Sequence, residues 1–229
     1  MIMRTAPLTC VVLLTILVSG CVQRGEMKAG TITGETVKLP EPDYKGITVE
    51  EAIKNRRSVR KYSSEPLTLN ELSQILWAAQ GITSGNKRSA PSAGMTYPLE
   101  VYVVVGNVEG LEPGIYHYDP PTHSIKMTVR GDRRFDLSNA ALGQTWVGNA
   151  PVDLVFTAVY ERTTSRYGER GRMYVHMEAG HAAQNVYLQA ESLGLGTVVV
   201  GSFSEEGVRQ VVGLEEETPL YIIPVGHKI

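Results

Sequence analysis

Apolar residues recur at helical spacing in two long stretches. Leu72, Ile75, Leu76 and Ala79 make one face of a helix expected over 68–80, and Val175, Ala179, Ala182, Ala183, Val186, Ala190 and Leu193 make a longer, alanine-rich stripe that Gly194 is placed to end. The pairs Thr48/Glu51 and Thr68/Glu71 fit the capping box, so helices begin near 48 and 68. A short helix fits 204–212, with Ser204 as cap and Gly213 as stop. The apolar runs 99–105, 152–159, 197–200 and 220–225 lack strict alternation, which predicts strands covered on both faces. A hairpin is expected from 114–118 and 124–129 around Asp119, Pro120 and Pro121. Helices and strands mix without a regular βαβ rhythm. This predicts a single α+β sandwich, a central mixed or antiparallel sheet covered by helices.

The first residues follow another pattern. Arg4 is followed by LTCVVLLTILVSG and then Cys21, the layout of a secretion signal, and too short for the roughly 20 residues of a membrane span. Leu17-Val18-Ser19-Gly20-Cys21 resembles the lipobox of secreted lipoproteins. That resemblance implies a diacylglycerol on the Cys21 thiol, cleavage just before it, and an anchor on the extracytoplasmic face of a membrane. Residues 22–46 are polar, with two prolines, and read as a tether. The expected organisation is therefore a signal at 1–20, a lipidated cysteine and tether at 21–46, and one folded domain at 47–229.

Composition narrows the classes. With 42% hydrophobic residues and 22 Lys+Arg against 24 Asp+Glu, the net charge of −2 excludes a disordered chain and a strongly basic nucleic-acid binder. Both cysteines, Cys10 and Cys21, precede the expected domain, so no disulfide framework is available to it. His176 and His181 are five apart on the long helix, about 140° from each other, which does not suit a zinc pair. No metal site is expected. GLGTVVVG follows a helix and fails as a dinucleotide fingerprint, and Ser92 and Ser202 lack the setting of a nucleophile elbow.

The basic cluster Arg56-Arg57-Ser58-Val59-Arg60 ends the first helix and offers forked donors suited to a phosphate. It is followed by PLTLNELSQILWAAQGIT, RSAPSAGMTYPLEVYVVV and EAGHAAQNVYLQAESLGLGTVVVGSF. Together these segments resemble the FMN-dependent nitroreductase family, especially the branch of SagB-type azoline dehydrogenases, over about residues 47–228.

The resemblance implies that Arg56, Arg57, Ser58 and Arg60 hold the flavin phosphate and ribityl chain. It places Pro91, Ser92, Ala93 and Gly94 along the isoalloxazine of a partner subunit, hence a homodimer. Met95 stands where many relatives have asparagine. Gln144 is implied at the pyrimidine edge of the flavin, where an amide offers a donor and an acceptor. Val200 and Gly201 are implied to face N5 and O4, where backbone N–H groups stabilise arriving charge. Gly201 replaces a glutamate of several simple nitroreductases. Lys228, with His227 beside it, is implied near the phosphate. No catalytic side chain is required, because the flavin carries the chemistry. The implied reaction is ping-pong, between a donor such as NAD(P)H and an electron-poor small molecule. The resemblance leaves two alternatives, an azoline dehydrogenase or oxidase and a membrane-tethered flavin-binding protein without turnover.

Overall fold

Threonine caps start the first two helices. In the computed structural model, which describes residues 35–229, Thr48 caps α1 (Val49–Asn55) and Thr68 caps α2 (Leu69–Gln80). In each, the hydroxyl accepts from the glutamate N–H three residues on, and that glutamate accepts from the cap amide, at 3.1 Å for Glu51 and 2.8 Å for Glu71.

The sheet has seven strands among the described residues: β1 (Thr36–Lys38), β4 (Leu99–Val105), β5 (Gly114–Asp119), β6 (Ser124–Arg130), β7 (Val152–Ala158), β8 (Leu195–Thr197) and β9 (Thr218–His227). Their order is β1-β6-β5-β4-β7-β9-β8, and every neighbouring pair is antiparallel. β2 (Ile82–Ser84) and β3 (Lys87–Arg88) make a separate small hairpin. Along β7 every residue is buried, as the unbroken apolar run predicts for a strand covered on both sides. Val152, Leu154 and Phe156 face one core with α2 and α6 (Arg170–Ser192), while Val155 faces a second core with α3 (Arg134–Ala140), α4 (Thr145–Asn149) and α7 (Glu205–Val212). The remaining helix, α5 (Glu161–Tyr167), precedes α6. Alanines 179, 182, 183 and 190 on α6 are buried, so their small side chains let this helix lie close to its neighbours.

The α+β sandwich is as expected, and its sheet is antiparallel. Two details differ. The strand expected at 197–200 is β8, shifted to Leu195–Thr197, and Val200 forms an isolated bridge to Ile222. Residues 36–43, expected in the tether, belong to the domain. β1 pairs with the β6 edge, Leu39 is buried, and the Asp43 amide and Gln74 side chain exchange two hydrogen bonds of 2.7 and 2.8 Å. Backbone pairing along an edge carries no hydrophobic period, which is why the polar segment concealed it. The signal segment and Cys21 lie outside the described residues. No helix among the described residues is long and apolar enough to cross a membrane.

Candidate active site

α1 stops at Arg56, where ψ of 133° turns the backbone out of the helix. The chain then runs beside β8: Val59 N–H donates to the Thr197 carbonyl at 2.9 Å, and buried Tyr62 donates its hydroxyl to the Val59 carbonyl at 2.7 Å. This rigid turn spreads the basic cluster. Arg56 lies over the Tyr187 ring at 5.3 Å, Arg60 lies over the Trp146 ring at 5.6 Å, and Arg57 donates back to the Lys54 and Arg56 carbonyls. Among the described residues none of the three arginines meets a carboxylate, so their charge is uncompensated. Each such guanidinium keeps forked donors available to an anion.

Tyr187 on α6 joins this cluster to the end of the sheet. Its hydroxyl is 3.1 Å from Ser58 Oγ and accepts from the Val199 N–H at 3.0 Å. From there the chain bridges Ile222 through both polar groups of Val200 and emerges at exposed Gly201 and Ser202. The amides of Gly201 and Ser202 donate to nothing among the described residues, and a side chain at Gly201 would meet only the Tyr221 ring at ordinary contact distance. Gln144, the residue before α4, closes the other side. Its Nε2 donates to the Ala141 carbonyl at 2.8 Å and to the Ser202 carbonyl at 2.7 Å. Both amide protons are thereby used, leaving Oε1 as an acceptor where the sequence suggested a donor and an acceptor. These contacts bring Arg56, Arg57, Ser58, Arg60, Gln144 and Gly201 to one surface; Val200, expected there too, is buried with its N–H and carbonyl both taken by Ile222, so it offers that surface no free amide.

The segment Pro91–Gly94 is elsewhere on the same chain. Ala93–Met95 makes a single 3-10 turn in which Gly94 has φ of 61° and Met95 φ of 55°. Ser92 Oγ accepts from the Tyr97 N–H at 2.9 Å and is hydrogen-bonded to Glu178 of α6. Glu178 is 2% exposed, and its burial pushes the carboxyl up to about 7 against the opposing effects of Ser92 and Arg88. Glu178 and Tyr187 are nine residues apart on one helix, which sets them about 13 Å apart along the axis and half a turn opposed. The small-residue loop and the arginine cluster therefore flank opposite sides of α6.

Lys228 lies beside the cluster, its backbone bridged to Tyr62, but its ammonium is 2.6 Å from Glu191. The charge expected to be free for a phosphate is thus neutralised within the chain. His227 turns away, toward the Pro66 carbonyl at 3.3 Å and Glu71 at 3.8 Å.

The model of the nitroreductase family matches residues 53–227, most of the described structure. The chain belongs to the nitroreductase family. It is 50% identical over 197 residues to the Methanocaldococcus jannaschii protein MJ1384, itself named a nitroreductase, spanning 86% of this chain and 99% of that one. The crystal structure of a protein from Ralstonia eutropha JMP134, described as a nitroreductase, superposes with a TM-score of 0.75 at 34% identity, covering 85% of this chain and 90% of the other. The FMN reductase [NAD(P)H] of Bacillus subtilis is 27% identical over 190 residues, 77% of this chain and 62% of its own length.

Tyr187 and Trp146 also belong to this surface of the nitroreductase-family chain, though no sequence motif marks them. Both are aromatic platforms under arginines, and their only sequence signal is an aromatic residue within a matched segment. His176 meets the Tyr160 hydroxyl at 2.5 Å, and the described residues contain no cluster of three metal-ligating side chains.

Proposed function

We propose that this chain is an FMN-dependent oxidoreductase. One observation carries the reading: three uncompensated guanidiniums and two undirected backbone amides line one surface, at a spacing created by Tyr187, Trp146 and Gln144. That donor set fits a phosphate at one end and an electron-accepting polar ring edge at the other. Arg56, Arg57, Ser58 and Arg60 would hold the phosphate and ribityl chain. The Gly201 and Ser202 amides and Gln144 Oε1 would address the ring edge. Bound FMN would supply the redox chemistry, two-electron transfer between a donor such as NAD(P)H and an electron-poor small molecule. The residues of this chain bind and orient; among the described side chains of this surface none is a carboxylate or histidine that must move a proton.

The opposed placement of Pro91–Gly94 and the arginines supports a homodimer. A loop on the opposite side of α6 from the cluster suits the site of a second copy better than that of its own chain. The lipid anchor at Cys21 belongs to the same proposal. From that cysteine to the docked strand at Thr36 an extended chain spans about 50 Å, so the domain would work close to the membrane surface.

The test is an anaerobic absorption spectrum of purified protein before and after NADH or NADPH. A yellow protein that bleaches supports the oxidoreductase. A yellow protein that no donor reduces supports a flavin binder instead, and a colourless protein that FMN cannot reconstitute defeats both.

A further inference from the structure

The corner between α5 and α6 is a basic, exposed segment that the flavin reading leaves without a role. Residues 161–174 hold four arginines, Arg162, Arg166, Arg170 and Arg172, against Glu161 and Glu169. Two of the four are neutralised, Arg162 by Glu100 at 2.6 Å and Arg172 by Glu169 at 3.4 Å. Arg166 and Arg170 have no carboxylate partner among the described residues. Aromatic groups hold them instead. Arg166 lies over the Tyr167 ring at 5.4 Å, Arg170 lies over the Tyr174 ring at 5.8 Å, and the two rings pack edge-on with centroids 5.3 Å apart. An arginine fixed by ring faces keeps its full charge, and its outward N–H groups can address a planar anion with little further ordering.

The position of this pair gives it meaning. Arg166 donates to the Gly94 carbonyl at 3.2 Å, and a side chain at Gly94 would strike the Tyr167 hydroxyl. Arg166 therefore sits directly on the small-residue loop, and Arg170 stands behind it, joined through the packed Tyr174 and Tyr167 rings. We infer that Arg166 and Arg170 form a recognition site for an anionic group, a phosphate or a carboxylate, on the molecule that exchanges electrons with the flavin, and that Tyr167 and Tyr174 back it. This rests on the flavoprotein reading above, since only a loop beside a bound ring makes the corner part of a substrate site. A phosphate would arrive on a nicotinamide donor and a carboxylate on an acceptor, and the same forked donors suit both.

Equilibrium binding to the oxidised, FMN-loaded protein tests the inference without turnover. Isothermal titration at low ionic strength compares two pairs that differ by one anionic group, NADP+ with NAD+ and 4-nitrobenzoate with its methyl ester. At least one charged member should bind about ten- to a hundredfold more tightly than its twin. In R166A/R170A that preference should fall to near unity, and flavin absorbance reports that the variant is folded and loaded. Should the alanine pair lose its flavin, R166Q/R170Q, which removes the charge and keeps most of each side chain, carries the same expectation. The donor pair moving identifies a phosphate, and the acceptor pair moving identifies a carboxylate. The inference is overturned if neither charged member is preferred, or if the preference survives both substitutions. A protein that takes up no FMN defeats the flavoprotein reading, whereas a loaded protein indifferent to these arginines defeats this inference alone.

Discussion

Replacing Tyr187 by phenylalanine isolates the hydroxyl that ties the arginine cluster to the sheet. The ring stays beneath Arg56, so the cation–π contact at 5.3 Å is retained, but the bonds to Ser58 Oγ and the Val199 N–H are lost. Two hydrogen bonds at about 0.5–1.5 kcal/mol each bound the loss at roughly 1–3 kcal/mol. The site is half-buried, and water will replace part of the loss, which places the expected cost near the lower end. If that cost falls on the bound state, the FMN dissociation constant should rise about three- to tenfold, since 1.4 kcal/mol is a factor of ten. The part falling on the fold should lower the melting temperature by about 2–4 °C per kcal/mol. Fluorescence quenching of FMN on titration and a thermal melt of the FMN-free protein separate the two. A lowered melting temperature with an unchanged dissociation constant would show that Tyr187 only supports the fold, and the placement of the phosphate site beside Ser58 would be wrong.

Other consequences are equally direct. Met95 holds φ of 55°, a left-handed conformation that costs a non-glycine residue about 1 kcal/mol and that asparagine tolerates better; Met95→Asn should raise the melting temperature by about 2–4 °C, and a lower one would refute the strain argument. Asp153 is wholly buried in β7 with neither carboxyl oxygen hydrogen-bonded, and burial holds it well above its ordinary 3.8. Stability linked to its protonated form is complete below that ordinary value and is lost as pH rises. Melts of wild type and Asp153→Asn between pH 4 and 7 should therefore diverge in favour of the variant by up to about 1.4 kcal/mol per pH unit, and a gap independent of pH would exclude a raised pKa.

The parts of the fold that announce themselves in the sequence are those with a local cause. Thr48 and Thr68 mark two helix starts because a hydroxyl and a glutamate three residues on satisfy amides within one turn. Gly213 ends α7 with φ of 78°, as a helix stop of that kind does. Residues whose role depends on distant partners stayed hidden. Pro40 is pinned because Ser73 and His123, from α2 and the β5–β6 turn, both reach its carbonyl, and no pattern near Pro40 anticipates that. Lys228 looked free until β9 carried it to Glu191 at the end of α6. At the candidate site the basic run was legible, but its spreading over Tyr187 and Trp146 was not, because both platforms lie more than 80 positions further along the chain.

Whether Arg56, Arg57 and Arg60 grip a flavin phosphate is tested most directly by comparing FMN with riboflavin, since the two differ by that group alone. Dissociation constants for both are measured on wild type and on R56A/R57A/R60A. Wild type should prefer FMN by at least about tenfold, as one or more charge-assisted hydrogen bonds require, and the variant should bind the two nearly equally. An FMN preference that survives loss of all three guanidiniums would contradict the account.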